Sequence, residues 1–334
     1  MTRIEKQPRD HNGRHAATRR APVFAYAALS LALLVPAPAA SSPAQLTVQP
    51  LMMVSGPEPG ISFNGPRGIA FDAQHQEIVL ANTDAHLIEI YTLGGDRRAR
   101  FIHRVLGPGG QWVDGVPQAL VVDRIGRILV SDKQAAYVDI LDYRGRSIGR
   151  IEIPATVRDP NGGPGALAFT PDGGLLVAER GRRGRAYRYS PDYTFVGAWG
   201  DSGLAPGQLT TISGIAVAAD GEVVVTCPLT ELAVQIFSPS GEYLRGFGKH
   251  DIGEGNFSYA SGVTIASGNR IWVSDQLRQI VQVFDLSGAF VQTVGSIGSG
   301  PGHFLYPSAL ASNGKDLVAV AECRGNRFQL LRVQ

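Results

Sequence analysis

The chain has 334 residues, 41 of them glycine and 21 proline, a density that excludes a long-helix bundle or a coiled coil because both residues interrupt helix interiors. Hydrophobic residues make up 44% and charged residues only 18%, which excludes a disordered chain. The formal charge of +2 is too small for a nucleic-acid-binding surface, and its sign belongs to the first forty residues.

Those residues begin with a polar stretch holding Arg3, Lys6, Arg9, Arg14, Arg19 and Arg20, followed by an apolar run from Ala21 to Val35 and the small residues Ala37-Pro38-Ala39. A cationic start, a short apolar middle and an Ala-x-Ala site predict a cleaved secretory signal peptide over residues 1–39. The uninterrupted apolar run after Pro22 is only about thirteen residues, short of the roughly 20 that a spanning helix needs, so no stable transmembrane anchor is expected. Cleavage leaves 25 basic and 27 acidic groups, a net charge of −2. The expected location is therefore secreted or periplasmic, with no nucleic-acid partner.

Residues 40–62 form an N-terminal segment with one strand-like stretch, LTVQPLMMVSG (Leu46–Gly56). From residue 63 onward one pattern returns six times, as PRGIAFD from Pro66, PQALVVD from Pro117, PGALAFT from Pro164, ISGIAVA from Ile212, ASGVTIA from Ala260 and PSALAS from Pro307. Taking Gly68, Ala119, Ala166, Gly214, Gly262 and Ala309 as equivalent, the spacings are 51, 47, 48, 48 and 47 residues. Within each period short β-branched and aromatic runs alternate with turn signals, and no segment after residue 39 shows a sustained 3.6-residue apolar period with caps. Four antiparallel strands per period describe an all-β, six-bladed β-propeller occupying residues 63–334. An isolated blade cannot bury both faces; a ring of blades buries them. The sixth repeat ends at the C-terminus with three strands, so residues 46–56 are predicted to supply its fourth, although Pro50 is unfavourable inside a strand.

The second strand of several repeats ends in V-x-D or its equivalent, followed by polar residues and I-x-V-F: WVSDQLRQIVQVF (Trp272–Phe284), ILVSDKQAAYVDIL (Ile128–Leu141) and, more loosely, VAVAECRGNRFQLL (Val318–Leu331) with its Asn326-Arg327 pair. With this motif, a G-x-G-x-x-F-like lead-in and the strand order, residues 63–334 resemble the NHL-repeat family of six-bladed propellers. The resemblance implies fold far more strongly than function, since the fold hosts enzymes, receptors and scaffolds.

Three sets of residues are candidates for chemistry. The residues closing the second strands, Asn82, Asp132, Glu179, Asp275 and Glu322 with Cys227 in the fourth repeat, read either as a polar ring at one rim or as caps for their own loops, and recurrence once per repeat favours the caps. The residues leading the innermost strands, Arg67, Gln118, Gly165, Ser213, Ser261 and Ser308, are expected at the mouth of the central channel. Arg67 beside Gln118 suits an anionic ligand. In the peptide-amidating lyases, which this fold also resembles, zinc-binding histidines sit at this position, and none of the six is histidine here. The third set is ERGRRGRAYR (Glu179–Arg188), whose Arg180, Arg182, Arg183, Arg185 and Arg188 suit an acidic partner.

His86, His250 and His303 fall in loops expected on one face, and nothing in their spacing demands a metal site. Cys227 and Cys323 are expected two blades apart, beyond disulfide reach, as free and buried thiols. With no complete catalytic or metal constellation, the leading expectation is a monomeric, cofactor-free binding or scaffold module for a protein, peptide or acidic polysaccharide. The alternative is a metal-dependent lyase or lactone hydrolase with Zn or Ca at the channel mouth.

Overall fold

The computed structural model describes residues 45–334 apart from 59 and 108; the expected signal peptide lies outside the described residues. Among them, no helix is long and apolar enough to cross a membrane. The chain forms six four-stranded antiparallel sheets. Blade one consists of Pro66–Asp72, Glu77–Asn82, Leu87–Thr92 and Arg97–Ile102, in that order from the centre outward. Blades two to five repeat the order, with innermost strands Pro117–Val122, Gly163–Phe169, Gly214–Val217 and Ala260–Ala266. The innermost strands touch in a closed circle from blade one through blade six and back to blade one.

Burial follows position in the blade. Residues of the second and third strands of blade one are buried almost throughout, whereas Arg97–Ile102 alternates between half-buried and exposed. The small residue of the repeat has a spatial cause: a Cβ added at Gly68 would lie 2.7 Å from Gln118 O, and one at Gly262 would lie 2.8 Å from Ala309 Cα. Neighbouring blades converge there, and a larger side chain would hold them apart.

Blade six contains Pro307–Ser312, Leu317–Glu322 and Arg327–Val333, and Val48–Val54 completes it as the outer strand. Val48 pairs with Val333 and Val54 with Phe328, with a register shift between Pro50 and Met52. The irregularity accommodates a residue that has no N–H to give to a ladder. The closing strand also reproduces a contact made elsewhere in the ring. A turn glycine at positive φ in one blade packs beneath an outer-strand side chain of the preceding blade: Gly145 beneath Phe101, Gly241 beneath Trp199, Gly288 beneath Phe247. Gly95 of blade one meets Met52 in the same way. The closing strand therefore acts as a true fourth strand.

Both cysteines are free and buried. Burial pushes the Cys227 thiol up to about 12, so it is protonated and inert at neutral pH.

Candidate functional site at the channel mouth

Five of the six innermost strands start with a local fault, whereas Gly214–Val217 of blade four pairs regularly. The ladder slips by one residue between Pro66 and Gly68, Pro117 and Ala119, Pro164 and Leu167, Ala260 and Val263, and Pro307 and Ala309. A leading proline has no N–H to pair, and an extra residue re-aims its side chain out of the sheet plane. The re-aimed residues are Arg67, Gln118, Gly165, Ser261 and Ser308; with Ser213 they line one cavity of about 330 Å³ at the axis. Below this polar rim the wall is apolar, built from Ile69, Leu120, Leu167, Ile215, Val263 and Leu310, each at most 7% exposed.

The rim divides into two halves. Over blades four to six the hydroxyls staple neighbouring blades: Ser213 Oγ donates to Ala260 O at 3.0 Å, Ser261 Oγ to Pro307 O at 3.0 Å, and Ser308 Oγ to Pro66 O at 3.1 Å. These serines are committed to the ring. Over blades one to three the rim carries Arg67, Gln118 and, from the end of the second strand of blade three, Arg180.

Arg67 lies 3.8 Å from Asp84, with both side chains nearly half exposed, a geometry worth about 1 kcal/mol or less. Arg180 is half-buried; its Nη1 donates to Asp132 O at 3.0 Å, and among the described residues it forms no ion pair within 4.0 Å. Burial lowers its pKa from the ordinary arginine value, and the more distant Asp132 carboxylate only opposes that shift. The result is a fixed cation facing a cavity without a counter-charge.

The amide and carboxylates that end the second strands do not line this cavity. Asn82, Asp132 and Glu179, expected with Arg67 and Gln118 as candidate ligand-binding residues if the second-strand ends formed a polar rim at the mouth, are buried to 3%, 0% and 0% exposure. Asn82 Oδ1 accepts Asn64 N–H at 2.7 Å, Asp132 Oδ1 accepts Gln134 N–H at 2.7 Å, and Glu179 Oε1 accepts Asp159 N–H at 2.7 Å. Asp275 and Glu322 hold the Ser258 and Leu305 N–H groups in the same manner. Each caps a loop, and none is placed to take a ligand at the rim.

The arginine run is likewise dispersed. Arg183 pairs with Asp159 at 3.4 Å, Arg185 donates to Val157 O at 3.1 Å, and Arg182 is exposed. Arg188 pairs with Asp172 at 3.3 Å, in the turn at the far end of blade three from the mouth. Only Arg180 of the five belongs to the cavity. The loop histidines are also separate: His86 bonds Gly115 O, His250 bonds Thr230 O and His303 bonds Ser296 Oγ.

Two features escaped the sequence reading. The polar residue inside the third strand anchors the loop that leads into the innermost strand of its own blade. Gln235 accepts Gly207 N–H and donates to Gln208 O, Gln282 does the same with Gly255 and Asn256, and Gln329 with Gly302 and His303. The signal was present, since Gln recurs at the x of I-x-V-F with a glycine and a following polar residue some 27 residues upstream. The second feature is a buried pair beneath the mouth, His103 Nε2 and Asp132 Oδ2, 3.5 Å apart and without a hydrogen-bond partner.

A divalent ion at the mouth does not fit this donor set. Among the described residues lining the cavity there is no His, Cys, Asp or Glu, and two guanidinium groups stand there. No step through a metal at this position follows from these residues.

A family model described as a 6-bladed beta-propeller matches residues 255–322. A search of curated proteins finds no match. Among solved structures the chain is similar to virginiamycin B lyase from Staphylococcus aureus, at 13% identity and a TM-score of 0.57, covering 86% of this chain and 99% of that one. It is similar to a gluconolactonase from Xanthomonas campestris at 16% identity and a TM-score of 0.60, covering 81% and 86%. A PQQ-bound aldose sugar dehydrogenase from Streptomyces coelicolor aligns at 16% identity and a TM-score of 0.58, covering 88% and 100%. Such likeness establishes the six-bladed fold; neighbours that divide between a lyase, a lactonase and a dehydrogenase assign no activity.

Proposed function

We propose that the protein is an exported, non-enzymatic NHL-type propeller whose channel mouth binds the carboxylate of a peptide or an acidic glycan. The observation that carries this reading is Arg180, half-buried at the rim, facing the cavity and lacking an acidic partner among the described residues. A buried charge without a partner is costly, and a planar guanidinium recognises a carboxylate in two parallel hydrogen bonds. Arg67 lies across the rim, held only by its weak contact with Asp84. The aliphatic wall below would receive the body of the ligand while its charge stays at the rim.

Export rests on the cationic, apolar and Ala-x-Ala succession of residues 1–39. Cleavage after Ala39 would leave Val48–Val54 intact to close the ring.

The test is calorimetric titration of the purified protein with a glutamate tripeptide and with an oligogalacturonate. Binding of either, weakened about tenfold or more by Arg180→Gln and unchanged by Arg188→Gln, is expected; one lost charge-assisted hydrogen bond accounts for a change of that size. Equal binding by wild type and Arg180→Gln would place the ligand elsewhere.

A further inference from the structure

A second cluster lies at the opposite end of blade one from the channel mouth. Asp72 ends the innermost strand, Glu77 begins the second, and the two are direct cross-strand partners. Like charges directly opposite in a ladder destabilise it, and here both residues are buried, at 1% and 7% exposure. Such a pair requires positive compensation. Asp72 Oδ1 accepts the N–H groups of Gln74 and His75 at 2.9 and 3.0 Å, but cationic compensation is slight. Arg98 Nε is 3.7 Å from Glu77 Oε1 on a side chain that is 62% exposed, Tyr143 OH donates to Glu77 Oε2 at 2.9 Å, and His75 Nδ1 bonds Asp72 Oδ2 at 2.7 Å.

The imidazole has a built place. Its ring lies 5.1 Å from that of Tyr143 of blade two, tilted by 45°, and a Cβ on Gly126 of the same blade would come within 2.8 Å of its Cε1. Ligand atoms of Asp72, His75 and Glu77 all lie within 4.8 Å of one another. Around a tetrahedral ion with bonds near 2.1 Å the ligands stand about 3.4 Å apart, so a modest turn of side chains closes the set.

We propose that Asp72, His75 and Glu77 bind a divalent transition-metal ion, with zinc the ion of choice, on the face opposite the channel mouth. One imidazole nitrogen and two carboxylates form a three-ligand zinc set with a position open to solvent. Calcium prefers six to eight oxygens, more than this turn provides. The ion replaces the proton that His75 Nδ1 shares with Asp72, and the neutral ring then carries its proton on Nε2. Tyr143 remains on Glu77 as an outer partner, so the ion ties the blade-one turn to blade two.

The experiment is titration of chelator-treated protein with zinc chloride alone, followed by calorimetry and thermal melting. One zinc per chain and a raised melting temperature are expected, with calcium chloride producing neither. His75→Ala, a change at an exposed turn position, is expected to weaken zinc binding about tenfold or more, as loss of a direct ligand requires; Asp72→Asn is expected to do the same. His303→Ala is expected to bind zinc as the wild type does. Natively folded wild-type protein that takes up no zinc, or a His75→Ala variant that binds it with undiminished affinity, overturns the proposal.

Discussion

His103 shows what a single buried ring does to the molecule. It follows the outer strand of blade one, is 2% exposed, and faces Asp132 of blade two across 3.5 Å. Burial lowers its pKa from the ordinary value of 6.5, and the Asp132 carboxylate opposes the shift without cancelling it. The folded state therefore binds a proton less readily than the unfolded chain, and stability rises with pH wherever the unfolded state holds more protons. This contribution is fully present above pH 6.5 and is lost as the pH falls through the lower folded value. Urea unfolding at pH 7.5 and pH 5 is expected to show a larger loss of stability at pH 5 for the wild type than for His103→Gln. An equal loss in both proteins would mean that His103 does not set the response. Asp132 stands out in the sequence as the end of a second strand, but its pairing with His103 does not, because the two come from different blades some thirty residues apart. Periodicity places strands; it does not say which loop residue will be folded beneath which neighbour.

At the scale of the strand, the small residue of each repeat marks where blades meet. Gly262 has three backbone atoms of blade six within 3.0 Å of the position a Cβ would take, Ala309 Cα at 2.8 Å, Ser308 O at 2.9 Å and Leu310 N at 3.0 Å. Because these are backbone atoms, Gly262→Val must displace an innermost strand, and overpacking of this kind costs about 1–3 kcal/mol. Gly197, on the outer strand of blade three, has nothing within 4 Å of that position and no positive φ. Gly197→Ala is therefore expected to be neutral or slightly stabilising. Comparing urea midpoints of the two variants checks the assignment. The Gly or Ala at this point was legible as the spacing of the repeat, and the blades followed from it. The arginine run was not legible in the same way. Glu179 to Arg188 reads as one loop, yet the chain turns from second to third strand inside it, so Arg180 reaches the axis while Arg188 reaches the other end of the blade. Proximity along the chain was mistaken for proximity in space. The second-strand carboxylates failed as ligands for the reason that favoured them as caps: every blade has the same loop to hold.

For the ring as a whole, closure depends on Val48–Val54. Its partner strand, Arg327–Val333, lies at the other end of the chain. Met52 and Val54 pack against the cluster shared by blades six and one, and Leu46 and Val48 against the cluster shared by blades five and six. Four partly buried apolar side chains, at about 1 kcal/mol each, contribute about 4 kcal/mol. Next to them, Arg327 is bonded to Glu322 at 2.8 Å with side-chain exposures of 4% and 0%, and Met53 Sδ lies 3.2 Å from its Nη1. Starting the chain at Ser55 would strip this corner and leave Arg327–Val333 as a long, flat, apolar edge, which invites pairing with another copy. The shortened protein is expected to melt at a markedly lower temperature and to associate in a concentration-dependent manner in light-scattering chromatography. A synthetic peptide spanning residues 45–55, added in trans, is expected to raise the melting temperature and reverse the association by strand addition. A shortened chain that stays monomeric and melts with the full-length protein would show that the ring is held by its inner strands alone, with the two chain ends pinned together to no energetic effect.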